Sequence, residues 1–237
     1  PPHPPRPPPP PHPPHHPPHP TSHTPPPRPP PRAPAVRPPA RPGPPARLGA
    51  LPMPAIDKPA RGGSPRGSTK VTTGDDLVAA IEQARRFDPK VIVEQGIAGR
   101  EIECSVLDGH GGHAPRASAP GEIIVHDPDG FYDFQAKYLT GQDRATVSIP
   151  ADLDEATSTR VQQVAIDAFR ALGCEGLARI DTFVTGDGTI YVNEPNTMPG
   201  FTTTSGFPLM WQASGLTYPQ IVTELVELAL ERPLGLR

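Results

Sequence analysis

Acidic residues are missing from the start of this chain: in 237 residues, no Asp or Glu occurs before Asp57. Large apolar residues are nearly as scarce there, and 28 of the 40 prolines fall within residues 1–54. A segment with few backbone donors and little to bury cannot build a packed core. Residues 1–50 are therefore expected to be a disordered Pro/His/Arg-rich segment, either a polyproline II spacer or a ligand for proline-recognising domains. The duller alternative is that they are mistranslated, a GC-rich gene read out of frame, since the chain does not begin with Met. His3, His12, His15, His16, His19 and His23 would hold a metal only weakly.

Cysteine is almost absent as well. Cys104 and Cys174 form no metal-binding spacing and suit a reducing compartment. No apolar run approaches membrane-spanning length and no signal peptide is recognisable, so a cytoplasmic protein without a membrane partner is expected. Positive charge is lacking too. The six arginines before residue 51 leave 16 basic against 25 acidic residues in the remainder, near −9 where the whole chain has −3. A domain so acidic is a poor partner for nucleic acid.

What is present begins near Leu51. Thr185-Gly186-Asp187-Gly188 is a turn signal between Gly176–Val184 and Thr189–Asn196, both rich in β-branched and aromatic residues, which predicts a β-hairpin. Asp181 stands six residues before Asp187 and Glu194 seven after it, so the hairpin sets them almost opposite. Side chains two apart share a face, which adds Arg179 and Asn196. Carboxylates facing each other repel, and a bound cation relieves this. Oxygen ligands suit Mg²⁺, whose shell is completed by water and phosphate. The pattern points to a magnesium-nucleotide site with an arginine beside the transferred phosphate, although a solvated acidic sheet face would look the same. The loop Thr197–Ser205 then supplies hydroxyls suited to a carboxylate or phosphate.

Upstream, Lys58 precedes a Gly/Ser-rich stretch reaching Ser68, which could fold over phosphates or be a plain surface loop. Thr73–Leu77 reads as a helix start, with Leu77, Val78, Ile81 and Ala84 at helical spacing to about Phe87. Val91–Glu94 and Glu101–Leu107 read as strands, leaving Glu94 and Glu101 at strand edges where ribose hydroxyls could be bound or where both are merely solvated. Asp108–His113, with two histidines, is expected to be a flexible loop rather than a metal site. Gly121–Val125 is another strand, and Phe131–Tyr138 sets one lysine among aromatics. A long helix after Pro150 carries an apolar stripe of Val161, Val164, Ala165, Ala168, Phe169 and Leu172, stopping at Gly173. A last helix, about Pro219 to Glu231, buries Ile221, Leu225, Leu228 and Ala229.

In this order, Lys58-Pro59-Ala60-Arg61-Gly62-Gly63-Ser64, Phe131-Tyr132-Asp133-Phe134 with Lys137-Tyr138, Ala178-Arg179-Ile180-Asp181 and Asn193–Thr202 make residues 51–237 resemble the D-alanine-D-alanine ligase family of ATP-grasp enzymes. The resemblance implies an α+β ATP-grasp fold, two α+β subdomains gripping ATP, over residues 51–237. It implies an ADP-forming ligase that joins two D-alanines through an acyl phosphate for peptidoglycan synthesis. Lys58 and Lys137 would contact ATP phosphates, and Glu94, Ile97 and Glu101 would line the adenosine pocket. Asp181, Glu194 and Asn196 would hold two Mg²⁺ ions, with Mn²⁺ as an alternative. Arg179 and the backbone near Gly200 would stabilise the oxyanion, Ser205 would fix the carboxylate of the second D-alanine, and Ser64 and Tyr138 would close the loop. Tyr138 after Lys137 favours D-alanine over D-lactate. Homodimers are common in the family.

Departures accompany the match. The family's N-terminal domain, with its D-alanine-binding glutamate and early ATP-binding lysine, has no counterpart here. Pro65-Arg66 replaces a small serine and an apolar residue, and Asp57 takes an apolar strand position. A poor or inactive ligase is therefore expected. The alternatives are an ATP-grasp ligase for another carboxylate and amine, and a non-catalytic nucleotide-binding protein with a Pro-rich interaction arm.

Overall fold

The computed structural model describes residues 51–61, 67–126 and 145–232, together with the backbone of a two-residue strand at Ala35–Val36. Two antiparallel sheets, the smaller backed by one helix and the larger by the others, organise these residues. The smaller has the strand order β1-β4-β2-β3, with β1 Ala35–Val36, β2 Ala55–Pro59, β3 Thr69–Val71 and β4 Val91–Gln95. Strand β1 lies inside the stretch expected to lack structure and pairs Ala35 with Glu94 and Val36 with Val93. Ala35-Val36 is an apolar pair bracketed by Pro34 and Arg37, and a sheet edge with free backbone groups accepts such a pair.

Helix α1 (Leu77–Arg85) covers one face of this sheet and contributes Leu77, Ala80 and Ile81 to a core with Leu51, Ala55, Val71 and Val93. Val78, expected on the buried stripe, is exposed, and Ala80 takes its place. The stripe runs i, i+3, i+4 from Leu77, so the residue next to it points away. Phe87 is also exposed.

The larger sheet runs β10-β9-β5-β7-β8, with β6 on the far end of β5. Its strands are β5 Arg100–Leu107, β6 Arg116–Ala117, β7 Gly121–Val125, β8 Ala145–Ser148, β9 Leu177–Val184 and β10 Ile190–Asn196. Between β6 and β7 the Ser105 backbone N–H donates to Ser118 Oγ at 3.1 Å, so the gap in the ladder is filled. Helix α2 (Glu155–Ala171) starts at Asp154, whose carboxylate accepts the Thr157 N–H, a strong N-cap. Its Val161, Ala165, Ala168 and Phe169 pack on Ile102, Cys104, Val106, Ala178 and Ile180. Leu172, expected on this stripe, ends the helix as its cap and is exposed.

Helix α3 (Gly206–Ala213), which hydrophobic patterning did not resolve from the preceding loop, covers the opposite face. Its Phe207 and Trp211 join Leu107 and Ile221 in a third core. Helix α4 (Tyr218–Glu231) begins with a capping box between Thr217 and Gln220. Ile221 and Leu228 are buried and Leu225 packs beside them, but Ala229 is exposed, one step beyond the buried face. The stretch Asp108–His113, expected to be flexible, holds a single 3-10 turn at His110–Gly112 pinned to α4. The His110 ring reaches Glu231 at 2.7 Å and Glu224 at 3.3 Å, and the Gly111 N–H donates to Glu231 at 2.8 Å. Both glutamates raise the His110 pKa, hydrogen bonding to Glu231 being the largest cause.

Candidate active site

The hairpin forms as its turn residues dictate, and its register decides the site. Val192 pairs with Thr182 on the face packed against α2. A register shift then sets Glu194, not Asn193, opposite Asp181, and Asn196 opposite Arg179. This bulge is the structural form of the unequal spacing about the turn. By period-two alternation Glu194 would share the buried face with Val192; the extra residue re-aims it to the other side, as bulges beside functional sites do.

On β5, Glu103 pairs with Asp181 and Ser105 with Arg179. One row across three strands therefore reads Glu103, Asp181, Glu194, and the next reads Ser105, Arg179, Asn196. Glu103 and Asp181 are buried and Glu194 is exposed. Arg179 answers the buried charge: its Nε and Nη2 donate to the two oxygens of Asp181 at 2.7 and 2.8 Å, and Nη2 lies 3.1 Å from Glu103 Oε1. Burial alone would lower the Arg179 pKa. Hydrogen bonding to Asp181 and the charges of Asp181, Glu103 and Glu194 outweigh it, and the guanidinium is held above its ordinary value.

Glu103 is the residue that sequence reasoning does not single out. It carries no motif, and the available signal was its place two residues after Glu101 on a strand facing Asp181.

The hydroxyl-rich loop after β10 folds onto the start of α3. The Thr202 N–H donates to Ser205 Oγ at 3.0 Å, and the two hydroxyls lie 2.8 Å apart. Gly200 is exposed, and a β-carbon there would come within 3.0 Å of Ser205 Oγ. Tyr218 of α4 donates its hydroxyl to the Phe201 carbonyl at 2.8 Å, and the Phe201 ring packs between Phe207 and Tyr218. Asn196 Oδ1 accepts the Met198 N–H at 3.3 Å.

On the smaller sheet, Lys58 and Glu94 form an ion pair at 2.7 Å on the face away from α1. Ile97 and Glu101 are both half-buried, the first within the short connection from β4 to β5 and the second just after it. The structure thus brings Arg179, Asp181, Glu194 and Asn196 together, sets Gly200 beside Ser205, and pairs Lys58 with Glu94. Ser64, Lys137 and Tyr138 lie outside the described residues.

The oxygen donors of Asp181, Glu194 and Asn196, with a guanidinium already bound to one of them, fit a hard divalent cation that takes only part of its shell from protein. Among the described residues, no three His, Cys, Asp or Glu side chains converge as a metal cage.

Comparison with known proteins decides the family. The family model described as D-ala D-ala ligase C-terminus matches residues 46–227. This chain belongs to that family. The D-alanine--D-alanine ligase of Frankia casuarinae is 54% identical over 187 residues, covering 79% of this chain and 48% of the relative. The solved D-alanine-D-alanine ligase of Coxiella burnetii superposes with a TM-score of 0.72 at 38% identity, over 86% of this chain and 53% of that one. A Bacillus anthracis D-alanine--D-alanine ligase solved in complex with ATP superposes with a TM-score of 0.68 at 26% identity, over 84% and 60%. The two-sheet architecture is therefore the ATP-grasp fold of these ligases, as the sequence motifs imply. The chain spans about half the length of the curated relatives it matches.

Proposed function

We propose that this chain carries the nucleotide- and cation-handling part of an ATP-dependent D-alanine–D-alanine ligase. The observation that carries this is the bulged hairpin, which puts Asp181, Glu194 and Asn196 on one face with Arg179 among them. In the proposed reaction a D-alanine carboxylate oxygen attacks the γ-phosphorus of ATP and ADP leaves. The amine of a second D-alanine then attacks the acyl carbon, inorganic phosphate leaves, and the amine gives up a proton.

Asp181, Glu194 and Asn196 would hold Mg²⁺, whose contribution is to neutralise phosphate charge during transfer. Lys58 would leave Glu94 for a phosphate oxygen, and Glu94, Ile97 and Glu101 would line the adenosine. Lys137 would add a second cation at the phosphates, while Ser64 and Tyr138 would close over them. Arg179 is buried in place and charged before substrate arrives, so it would meet a developing oxyanion with a preset charge, assisted by backbone near Gly200. Ser205 would hold the second substrate's carboxylate, and its hydroxyl is already oriented by Thr202. Residues 1–50 are proposed to lie outside the ligase domain apart from the β1 pairing, with the domain itself spanning 51–237. A cytoplasmic location fits peptidoglycan precursor synthesis, and among the described residues no helix is long and apolar enough to cross a membrane.

The test is ADP release from ATP by the full chain with and without D-alanine, beside calorimetric binding of ATP. The expected result is Mg²⁺-dependent ATP binding that D181N abolishes, with little D-alanine-dependent turnover. ATP binding indifferent to both Mg²⁺ and D181N would overturn the proposal. Ordinary D-alanine-dependent turnover would contradict the expected impairment.

A further inference from the structure

Glu103 is buried, ionic and unused by the roles given above. It lies beside Arg179, with 6% of its side chain exposed against 17% for the arginine, and the two approach to 3.1 Å. Its Oε2 faces the first residue of α3, where a β-carbon on Gly206 would stand 3.4 Å away. That end of a helix carries partial positive charge, and the carboxylate lies between the guanidinium and the start of α3. It is also two strands from Glu194, roughly 10 Å across the sheet, which removes it from the row's open end.

Asp181 has two claimants. In this structure both of its oxygens accept hydrogen bonds from Arg179, yet the same oxygens are proposed to bind the cation. A cation that takes Asp181 frees the guanidinium from a bidentate partner. A buried arginine left unpaired is costly. Glu103 is the carboxylate already within reach of the same Nη2 atom.

We propose that Glu103 is a positioning residue that retains Arg179 when Asp181 turns to a divalent cation, so that cation binding and arginine placement are coupled. This rests on the cation site proposed above. The coupling follows from Asp181 being shared: any group that holds Arg179 by another route lowers the cost of giving Asp181 to the metal.

The test is titration of the full chain with Mn²⁺ alone, followed by the electron paramagnetic resonance of free ion. Wild type should bind Mn²⁺ in a way D181N removes. E103Q should weaken that affinity at least fivefold, because the guanidinium then clings to Asp181. In the R179K background the same substitution should change affinity less than twofold, since lysine cannot grip Asp181 with two parallel hydrogen bonds. E103D, which keeps the charge, should recover part of the wild-type affinity. Circular dichroism of each variant reports folding separately. Equal losses from E103Q in both backgrounds would overturn the proposal and make Glu103 a ligand or a bulk charge. An unchanged affinity in E103Q would overturn it as well. Wild-type binding that D181N leaves intact would instead overturn the cation site itself, and the coupling with it.

Discussion

The two sheets each bury an aspartate, and they treat it in opposite ways. Asp181, 2% exposed on the larger sheet, gives both oxygens to Arg179. Asp57, 0% exposed on the smaller sheet, has no side-chain partner among the described residues, and only the backbone N–H groups of Asp57 and Thr69 oppose the effect of its burial. It shares the α1-facing side of β2 with Ala55 and stands opposite Val93, and burial raises its pKa to about 6. The paired carboxylate, beside the bulge and the hydroxyl loop, is the one proposed to hold the cation. The other, buried without a side-chain partner, is a cost to the fold. Burial of charge alone therefore says little, and the partner decides.

Removing the partner should make Asp181 resemble Asp57. R179M leaves Glu103 and Asp181 buried side by side without a cation, and should cost about 3–5 kcal/mol in urea unfolding. Added Mn²⁺ should recover part of the loss. A change below 1 kcal/mol would mean that water already screens the row.

The converse change relieves the smaller sheet. With an unfolded pKa of 3.8 and a folded value of about 6, Asp57 binds more protons when folded, so its contribution is fully present below pH 3.8. It is lost as pH rises through 6. The difference corresponds to about 3 kcal/mol at pH 8, so D57V should stabilise the chain by about that much at pH 8 and far less at pH 4. Denaturation midpoints at the two pH values check this, and equal gains at both would point to packing instead of ionisation.

A third aspartate supplies a reference with neither problem. Asp154 is exposed and caps α2, and its pKa is lowered by hydrogen bonds from Thr157. Its stabilisation is present above the unfolded pKa and fades as pH falls through the lowered folded value. D154A should lower the thermal unfolding midpoint slightly at neutral pH through loss of the cap, and shift the Asp57 transition not at all.

Much of this contrast was legible in the sequence. Asp57 stood out because it broke an apolar strand position, and the hairpin emerged because its turn chemistry and its β-branched flanks agree. The count of residues about the turn is unequal by one, but only the strand pairing shows that a bulge absorbs the difference. What stayed hidden depends on pairing between distant strands. Glu103 belongs to the site only because β5 aligns it with Asp181 in an antiparallel register that no local pattern reports. Helix α3 escaped because its Gly206 and Pro208 are poor helix residues, and its place is set by Phe207 and Trp211 packing on Leu107 and Ile221. Val78, Leu172 and Ala229 show the limit of periodicity, which finds a helix more surely than it finds the edge of its buried face.

The most direct test of the central claim, that the bulged hairpin builds a cation-dependent ATP site, is calorimetric titration of ATP into the full chain with Mg²⁺, beside the E194Q variant. That substitution keeps the register and removes only the carboxylate that the bulge sets opposite Asp181. The account predicts Mg²⁺-dependent binding in the parent chain and a loss of at least tenfold in the folded E194Q variant. Equal affinity in the two would contradict it.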